Sequence, residues 1–500
     1  MLTSASSQII LGFVSFIGRT IFITNLNADY LGLNELFTSI LYVFSLAELG
    51  IGTAITFALY KPLAEGDVDQ VRTYMEFFKR TYSLIGSCII ILGIIITPFI
   101  HYFVKSDTPI ENLEVYFILY LLGVGVTYFY SYKQILLEAD QKKYIVSLII
   151  CFAAIIQIII QSILIIVYKS YSLYIVVFFF CNIGKNIVLA EVANIKYPFL
   201  KGKESVVALS KEKRKSLIRN IKAMFIRKVG EISIGSIDNI LISSFVGLST
   251  LGLYANYQII LEALRSALRV FYSSITASIG NLCALESKDR AHESFITLNF
   301  INSILFSYIT VVIIVLLQPG ITMWLGTNYL LKNSTVFLIA INFYLTGSRQ
   351  MVLNYHSAYG LFWSDKYNPI TRAIINLVIS LLLVKRYGIN GVLLGTTISI
   401  VSTGIWIEPY VVYKYGFNKP LKPYFIKYFH YLLITILIAT ITYFSTFRIS
   451  LGRFWTFWVK LIFCLLLPPF CYWLFFRKNP DFRRLLLMIR YHFVSKQKHK

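Results

Sequence analysis

Long uninterrupted apolar runs constrain this chain more than any other feature. "YIVSLIICFAAIIQIIIQSILIIVY" (144–168) and "LIGSCIIILGIIITPFI" (84–100) are close to or beyond the roughly 20 residues that cross a bilayer core. One such run could be a buried core helix. A succession of them has no place in a water-soluble domain, and charged residues supply only 14% of the chain, against about 25% in soluble domains. The pattern predicts an all-α polytopic membrane protein. The opening "MLTSASSQIILGFVSFIGRT" has no charged leader region and no clear small-residue cleavage site, so it reads as a retained first span.

Apolar runs and the polar joints between them predict fourteen helices. They cover 4–26, 34–60, 73–99, 112–137, 144–168, 172–192, 219–245, 252–282, 291–317, 333–356, 368–387, 390–413, 430–447 and 455–476. The formal net charge of +23 has to be located before it is interpreted. With the N-terminus inside, 36 of the 47 Lys and Arg residues fall in inner joints, seven in outer joints and four within spans. That asymmetry predicts cytoplasmic N- and C-termini by the positive-inside rule. It also explains the basic excess as topology, so no nucleic-acid partner is expected. All six tryptophans fall near predicted interfaces, as an aromatic belt requires. The six cysteines lie in or beside apolar runs without CxxC spacing and read as small core residues, with no metal or cofactor implied.

The longest inner joint, "NIKYPFLKGKESVVALSKEKRKSLIRN" (194–220), divides six spans from eight. The second span is entered through "YLGLNELFTSI" (30–40) and the eighth through "STLGLYANYQI" (249–259), and a shift of 220 residues superposes the LGL triplets. Six spans return the chain to its starting side, so the repeat is parallel, related by a pseudo-two-fold axis along the membrane normal. The expected organisation is an N-lobe at 1–196 with helices 1–6, a basic linker at 197–218, and a C-lobe at 219–428 with helices 7–12. Two extra helices and a basic tail follow at 429–500.

Ionisable residues inside spans cost roughly 2.5–3.5 kcal/mol each on insertion scales and normally face water or a partner. In "YANYQIILEALRSALRVFYSSITASIG", residues 254–280, Glu262, Arg265 and Arg269 share one helical face. They either line a wet cavity or form an internal ion-pair ladder. Arg19 lies within helix 1, and the 220-residue shift places Asn239, beside Asp238, at the equivalent point of helix 7. Asp238 is a candidate ion carrier or a partner for Arg19. Glu48 is either a second ion-coupling carboxylate or part of a close-packing "ELGIG" stretch. Arg349 and His356 are candidate entry-side contacts on helix 10. Gln157, Gln161, Asn182 and Asn186 read as interhelical hydrogen-bond partners.

The run "YLGLNELFTSILYVFSLAELGIGTAITFALYKPLAEGD" (30–67) resembles the opening of bacterial polysaccharide flippases of the Wzx type. These belong to the polysaccharide-transport branch of the multidrug/oligosaccharidyl-lipid/polysaccharide (MOP) exporter superfamily. "GSIDNILISSFVGLSTLGLYANY" (235–257) is similar to the passage between that family's seventh and eighth helices. The resemblance implies flipping of undecaprenyl-diphosphate-linked oligosaccharide repeat units from the inner to the outer leaflet of the cytoplasmic membrane, for capsule, O-antigen or exopolysaccharide. Its implied partners are that lipid-linked glycan, the bilayer, and a polysaccharide polymerase and glycosyltransferases of the same pathway. In the related lipid II flippases, arginines on the first and eighth helices and an acidic residue near the start of the second line the central cavity. By motif position Arg19 matches the first, Arg265 or Arg269 the second, and Glu35, or its neighbour Asn34, the third.

An enzyme is not expected. The outer joints are short, and there is no GxxxxGK[ST] loop, no HExxH and no paired-carboxylate loop. Energy would come from an ion gradient, with Asp238, Glu48 or Glu35 as carriers. A drug/cation antiporter of the same superfamily should carry an acidic cavity, whereas three mid-span arginines suit an anionic cargo. A lipid II or teichoic-acid flippase would use the same residues, and a membrane scaffold offers no reason for them.

Overall fold

The computed structural model describes residues 2–45, 51–106, 109–201 and 235–483. The chain is all-α and polytopic, and among the described residues ten helices are long and apolar enough to cross a membrane. Two compact units divide within one long helix, at Ala255/Asn256.

The first unit contains α1 (Leu2–Asn25), α2 (Ala28–Phe44), α3 (Ile51–Glu65), α4 (Val68–Ile96), α5 (Leu113–Ala139), α6 (Lys143–Tyr168) and α7 (Tyr171–Lys196). It also holds α8, described over Gly235–Val246, and the first turns of α9 (Leu248–Leu285). Lipid tails are as apolar as leucine side chains, so these helices associate through close packing and interhelical hydrogen bonds. Gly86 and Gly93 of α4 admit the side chains of Tyr128 and Leu121 of α5. Gln161 Nε2 of α6 donates to the Tyr174 carbonyl of α7 at 2.9 Å, and Asn186 Nδ2 of α7 donates to Thr127 Oγ1 of α5 at 2.9 Å. Gln157 bonds Gln161 on its own helix, and Asn182 bonds the Phe178 carbonyl and Lys185, also on its own helix.

The two LGL triplets meet inside this unit. A methyl group added at Gly32 would overlap the Leu248 carbonyl and lie 3.1 Å from the Gly252 nitrogen. One added at Gly252 would overlap the Ala28 carbonyl and lie 3.1 Å from the Gly32 nitrogen. Ala28 and Leu248 are separated by the same 220 residues as Gly32 and Gly252, so the crossing uses the same patch on both helices, as a local two-fold requires. Gly is the residue that lets backbones approach this closely. The joint between α8 and α9 is pinned by two backbone bonds, Lys105 N–H to the Ser243 carbonyl at 3.0 Å and Leu248 N–H to the Lys105 carbonyl at 2.8 Å.

The second unit holds the rest of α9 and α10 (Lys288–Trp324), α11 (Asn333–Ser348), α12 (Gln350–Ala358) and α13 (Asn368–Tyr387). It continues with α14 (Ile389–Phe417), α15 (Lys422–Phe447) and α16 (Arg453–Phe476). Its core joins Phe300 and Val311 of α10 to Tyr431 and Ile438 of α15 and to Tyr472 and Phe476 of α16. Two predicted spans of this unit depart from regularity. The segment predicted over 333–356 breaks at Arg349 into α11 and α12, and the one predicted over 390–413 carries π-wound turns at Ile400–Gly404 and Val412–Phe417. Such turns free backbone groups and re-aim side chains, and they recur near functional sites.

Candidate functional site: a cavity under the α9 arginines

From Tyr254 to Ile279 the sequence of α9 contains no glycine or proline, so the helix runs unbroken and its side chains keep a fixed angular order. Glu262, Arg265 and Arg269 project from one face. Arg269 Nη2 donates to Glu262 Oε1 at 2.6 Å, Arg265 Nη1 lies 3.5 Å from Glu262 Oε2, and Arg265 Nη1 donates to Gln258 Oε1 at 3.2 Å. The three charged side chains are 52%, 41% and 62% exposed. One carboxylate therefore serves two guanidinium groups, and the face keeps a net positive charge with N–H donors to spare.

Arg265 and Arg269 rim a cavity of about 330 Å³. Further along α9 it is lined by Tyr272, Ser273 and Thr276, and the opposite wall is Phe306 of α10, Phe343, Thr346 and Gly347 of α11, and Gln350 and Asn354 of α12. The broken turn behind that wall is held by Asn302, whose Nδ2 donates to the Gly347 and Ser348 carbonyls at 3.2 Å each. Tyr272 in turn donates to Asn302 Oδ1 at 2.5 Å. These bonds satisfy carbonyls that the end of α11 leaves open and fix where α12 starts. The Phe306 ring lies on Gly347, where a Cβ would overlap it.

The other residues singled out in the sequence lie elsewhere. Arg19 Nη1 of α1 bonds Glu35 Oε1 of α2 at 3.2 Å, a half-buried pair in the first unit. Asp238 is buried on α8, next to Asn239, whose Nδ2 donates to Ser39 Oγ of α2 at 3.0 Å. Glu48 lies outside the described residues. Arg349 does not line the cavity. Its Nε donates to Glu408 Oε2 at 2.8 Å, and its Nη2 makes a second, very short bond to Glu408 Oε1. Arg372 Nη1 stands 3.9 Å from the same carboxylate, and Asn368 Nδ2 donates to it at 3.4 Å. Nε2 of the buried His356 is 3.0 Å from Oδ1 of the partly buried Asp365. Among the described residues no group of three or more His, Cys, Asp or Glu side chains is placed to hold a metal ion.

Over 96% of this chain and 99% of the other, the structure matches the lipid II flippase MurJ in an inward closed conformation, with a TM-score of 0.66 and 15% identity. An inward-facing multidrug resistance MATE transporter of the MOP superfamily matches over 80% of this chain and 94% of its own, with a TM-score of 0.61 and 13% identity. A mutant of the Vibrio cholerae MATE transporter VcmN covers 84% of this chain and 99% of its own, at 0.54 and 14%. No protein-family model matches the sequence, and neither does any curated protein. The chain shares the fold of these solved transporters.

Within this fold, Glu408 and Arg372 are charged residues that sequence reasoning passes over. The signal is there. Glu408 falls inside a predicted span, in "GIWIEPY", where a carboxylate demands a named partner. Arg372 is close enough to a predicted inner joint to pass for a topology determinant, yet the helix that carries it begins at Asn368.

Proposed function

We propose that this protein flips undecaprenyl-diphosphate-linked oligosaccharide repeat units from the inner to the outer leaflet of a bacterial cytoplasmic membrane, supplying capsule, O-antigen or exopolysaccharide synthesis. The observation that carries this reading is the pair of arginines, sharing one carboxylate, at the rim of the α9 cavity. A diphosphate offers closely spaced anionic oxygens. Arginine meets them with a planar fork of N–H donors, each charge-assisted contact contributing about 1.5–3 kcal/mol net. That is strong enough to recruit a lipid diphosphate and weak enough to release it. A cation-exporting cavity would want the opposite balance of charge.

A lipid II or teichoic-acid flippase is the second reading, favoured by the near-complete match to a lipid II flippase structure. Both termini face the cytoplasm in either case, and Asp238 is the favoured ion-coupling group, since it is a carboxylate buried in an apolar helix. Asp238→Asn then lowers transport at unchanged protein level, and full transport in that variant returns Asp238 to a packing role. The test of the main reading is Arg265→Ala and Arg269→Ala in cells that depend on the protein for surface polysaccharide. Both variants insert normally, and lipid-linked oligosaccharide accumulates on the inner leaflet. Unchanged surface polysaccharide with both arginines removed rejects the diphosphate reading.

A further inference from the structure

The wall of the cavity facing the arginines carries a neutral polar pair that the diphosphate does not need. Gln350 Nε2 donates to Asn354 Oδ1 at 3.0 Å, one turn apart on α12, and both residues line the cavity. Asn354 is only 6% exposed, and its Nδ2 is buried without a hydrogen-bond partner among the described residues. Leaving such a group unpaired forfeits the hydrogen bonds it would make with water. Exchanging the oxygen and nitrogen of both amides reverses donor and acceptor but leaves an unpaired polar atom at the same place. The position is rigid, because Asn302 fixes the break from which α12 starts.

The surroundings narrow what could satisfy that atom. Tyr272, Phe306 and Phe343 give the cavity flat apolar faces, and Thr346 adds a hydroxyl. Aromatic faces with a few fixed amide groups suit a sugar ring, which presents C–H on its faces and hydroxyl or acetamido groups at its edge. A cavity of about 330 Å³ lies at the lower end of the roughly 300–1,000 Å³ usual for small-ligand sites, room for a diphosphate and one sugar rather than a whole repeat unit.

We infer that Gln350 and Asn354 form a subsite that reads the sugar joined directly to the carrier diphosphate, through a hydroxyl or acetamido group on that sugar. The inference rests on the lipid-diphosphate reading above and adds to it. The arginines hold what every such lipid shares, and the amide pair discriminates among first sugars. Without its hydrogen bond a wrong first sugar leaves Asn354 unpaired, which is how polar sites reject analogues.

The experiment titrates purified full-length protein in nanodiscs with undecaprenyl diphosphate, undecaprenyl-diphosphate-glucose and undecaprenyl-diphosphate-N-acetylglucosamine, reading each Kd by native mass spectrometry. At least one sugar-bearing lipid should bind roughly five- to tenfold tighter than the bare diphosphate. Asn354→Leu should erase that advantage and leave the affinity for bare undecaprenyl diphosphate unchanged. Gln350→Ala, at a less buried position, tests the same pair without a large folding cost and should erase at least half of the advantage. Arg265→Ala should weaken all three lipids alike. Equal binding of all three lipids by the unaltered protein, or a sugar preference that survives both amide substitutions, overturns the subsite while the diphosphate reading stands. No binding of any of the three overturns both.

Discussion

Of the arginine–carboxylate sets in the second unit, two are built from the same residue types and lie in opposite states. On α9, Glu262 shares its two oxygens between Arg265 and Arg269, and all three side chains are about half exposed. Between α11, α13 and α14, Glu408 is held in two bonds by Arg349 and approached by Arg372, with the Arg349 and Glu408 side chains 4% and 5% exposed. An exposed pair is worth about 0–1 kcal/mol, so the α9 set does little to hold the fold and its donors can be lent to a ligand. A buried pair is different, because removing one partner strands a charge away from water. The α9 set is built to exchange partners. The Glu408 set is built to keep them, and it sits where α11 breaks and α14 departs from α-winding, the two places where a membrane unit most needs a fastener.

The sharpest way to break this comparison is at the clamp. Arg349→Ala should destabilise the protein by about 3–5 kcal/mol, seen as a fall in membrane level and in Tm of the purified protein. Arg349→Met combined with Glu408→Leu should recover part of that loss. A stable Arg349→Ala protein that fails only in transport would make the clamp a working site and erase the distinction.

Next in size is the α9 pair. Arg269→Ala should leave Tm nearly unchanged while lowering affinity for undecaprenyl diphosphate by roughly 10- to 150-fold, since one charge-assisted contact is removed. Arg269→Lys should restore only part, because an ammonium keeps the charge and loses the fork. Complete recovery with lysine would reduce the site to a general positive field.

The smallest effect is expected at Glu262. Glu262→Gln removes the carboxylate that competes with cargo for both guanidinium groups. It should change stability by less than about 1 kcal/mol, tighten lipid-diphosphate binding a few-fold and slow release. A large loss of stability instead would show that the exposed ladder is structural after all.

Part of the site is legible in the amino-acid sequence alone. The Glu262–Arg265–Arg269 face follows from helical spacing, and the cavity beneath it contains both arginines. Arg349 reads the same way and lies elsewhere, because nothing in "TGSRQMVLN" announces a carboxylate fifty-nine residues later. The wall opposite α9 is hidden for a similar reason. Gln350 and Asn354 look like ordinary inner-end polar residues until the break at Arg349 turns α12 and Asn302 fixes it in place.

By itself the sequence determined that this is a polytopic helical membrane protein and that one motif recurs after 220 residues. Those properties are sums of local terms, since each residue contributes its own transfer free energy and each helix satisfies its own backbone. Only the tertiary structure decided which intramembrane arginines are exposed and which are clamped, and that the two LGL triplets pack reciprocally against each other. The reason is that desolvation and pairing depend on which helices become neighbours. Residues 220 apart in one case and fifty-nine in the other come into contact only once the helices have assembled.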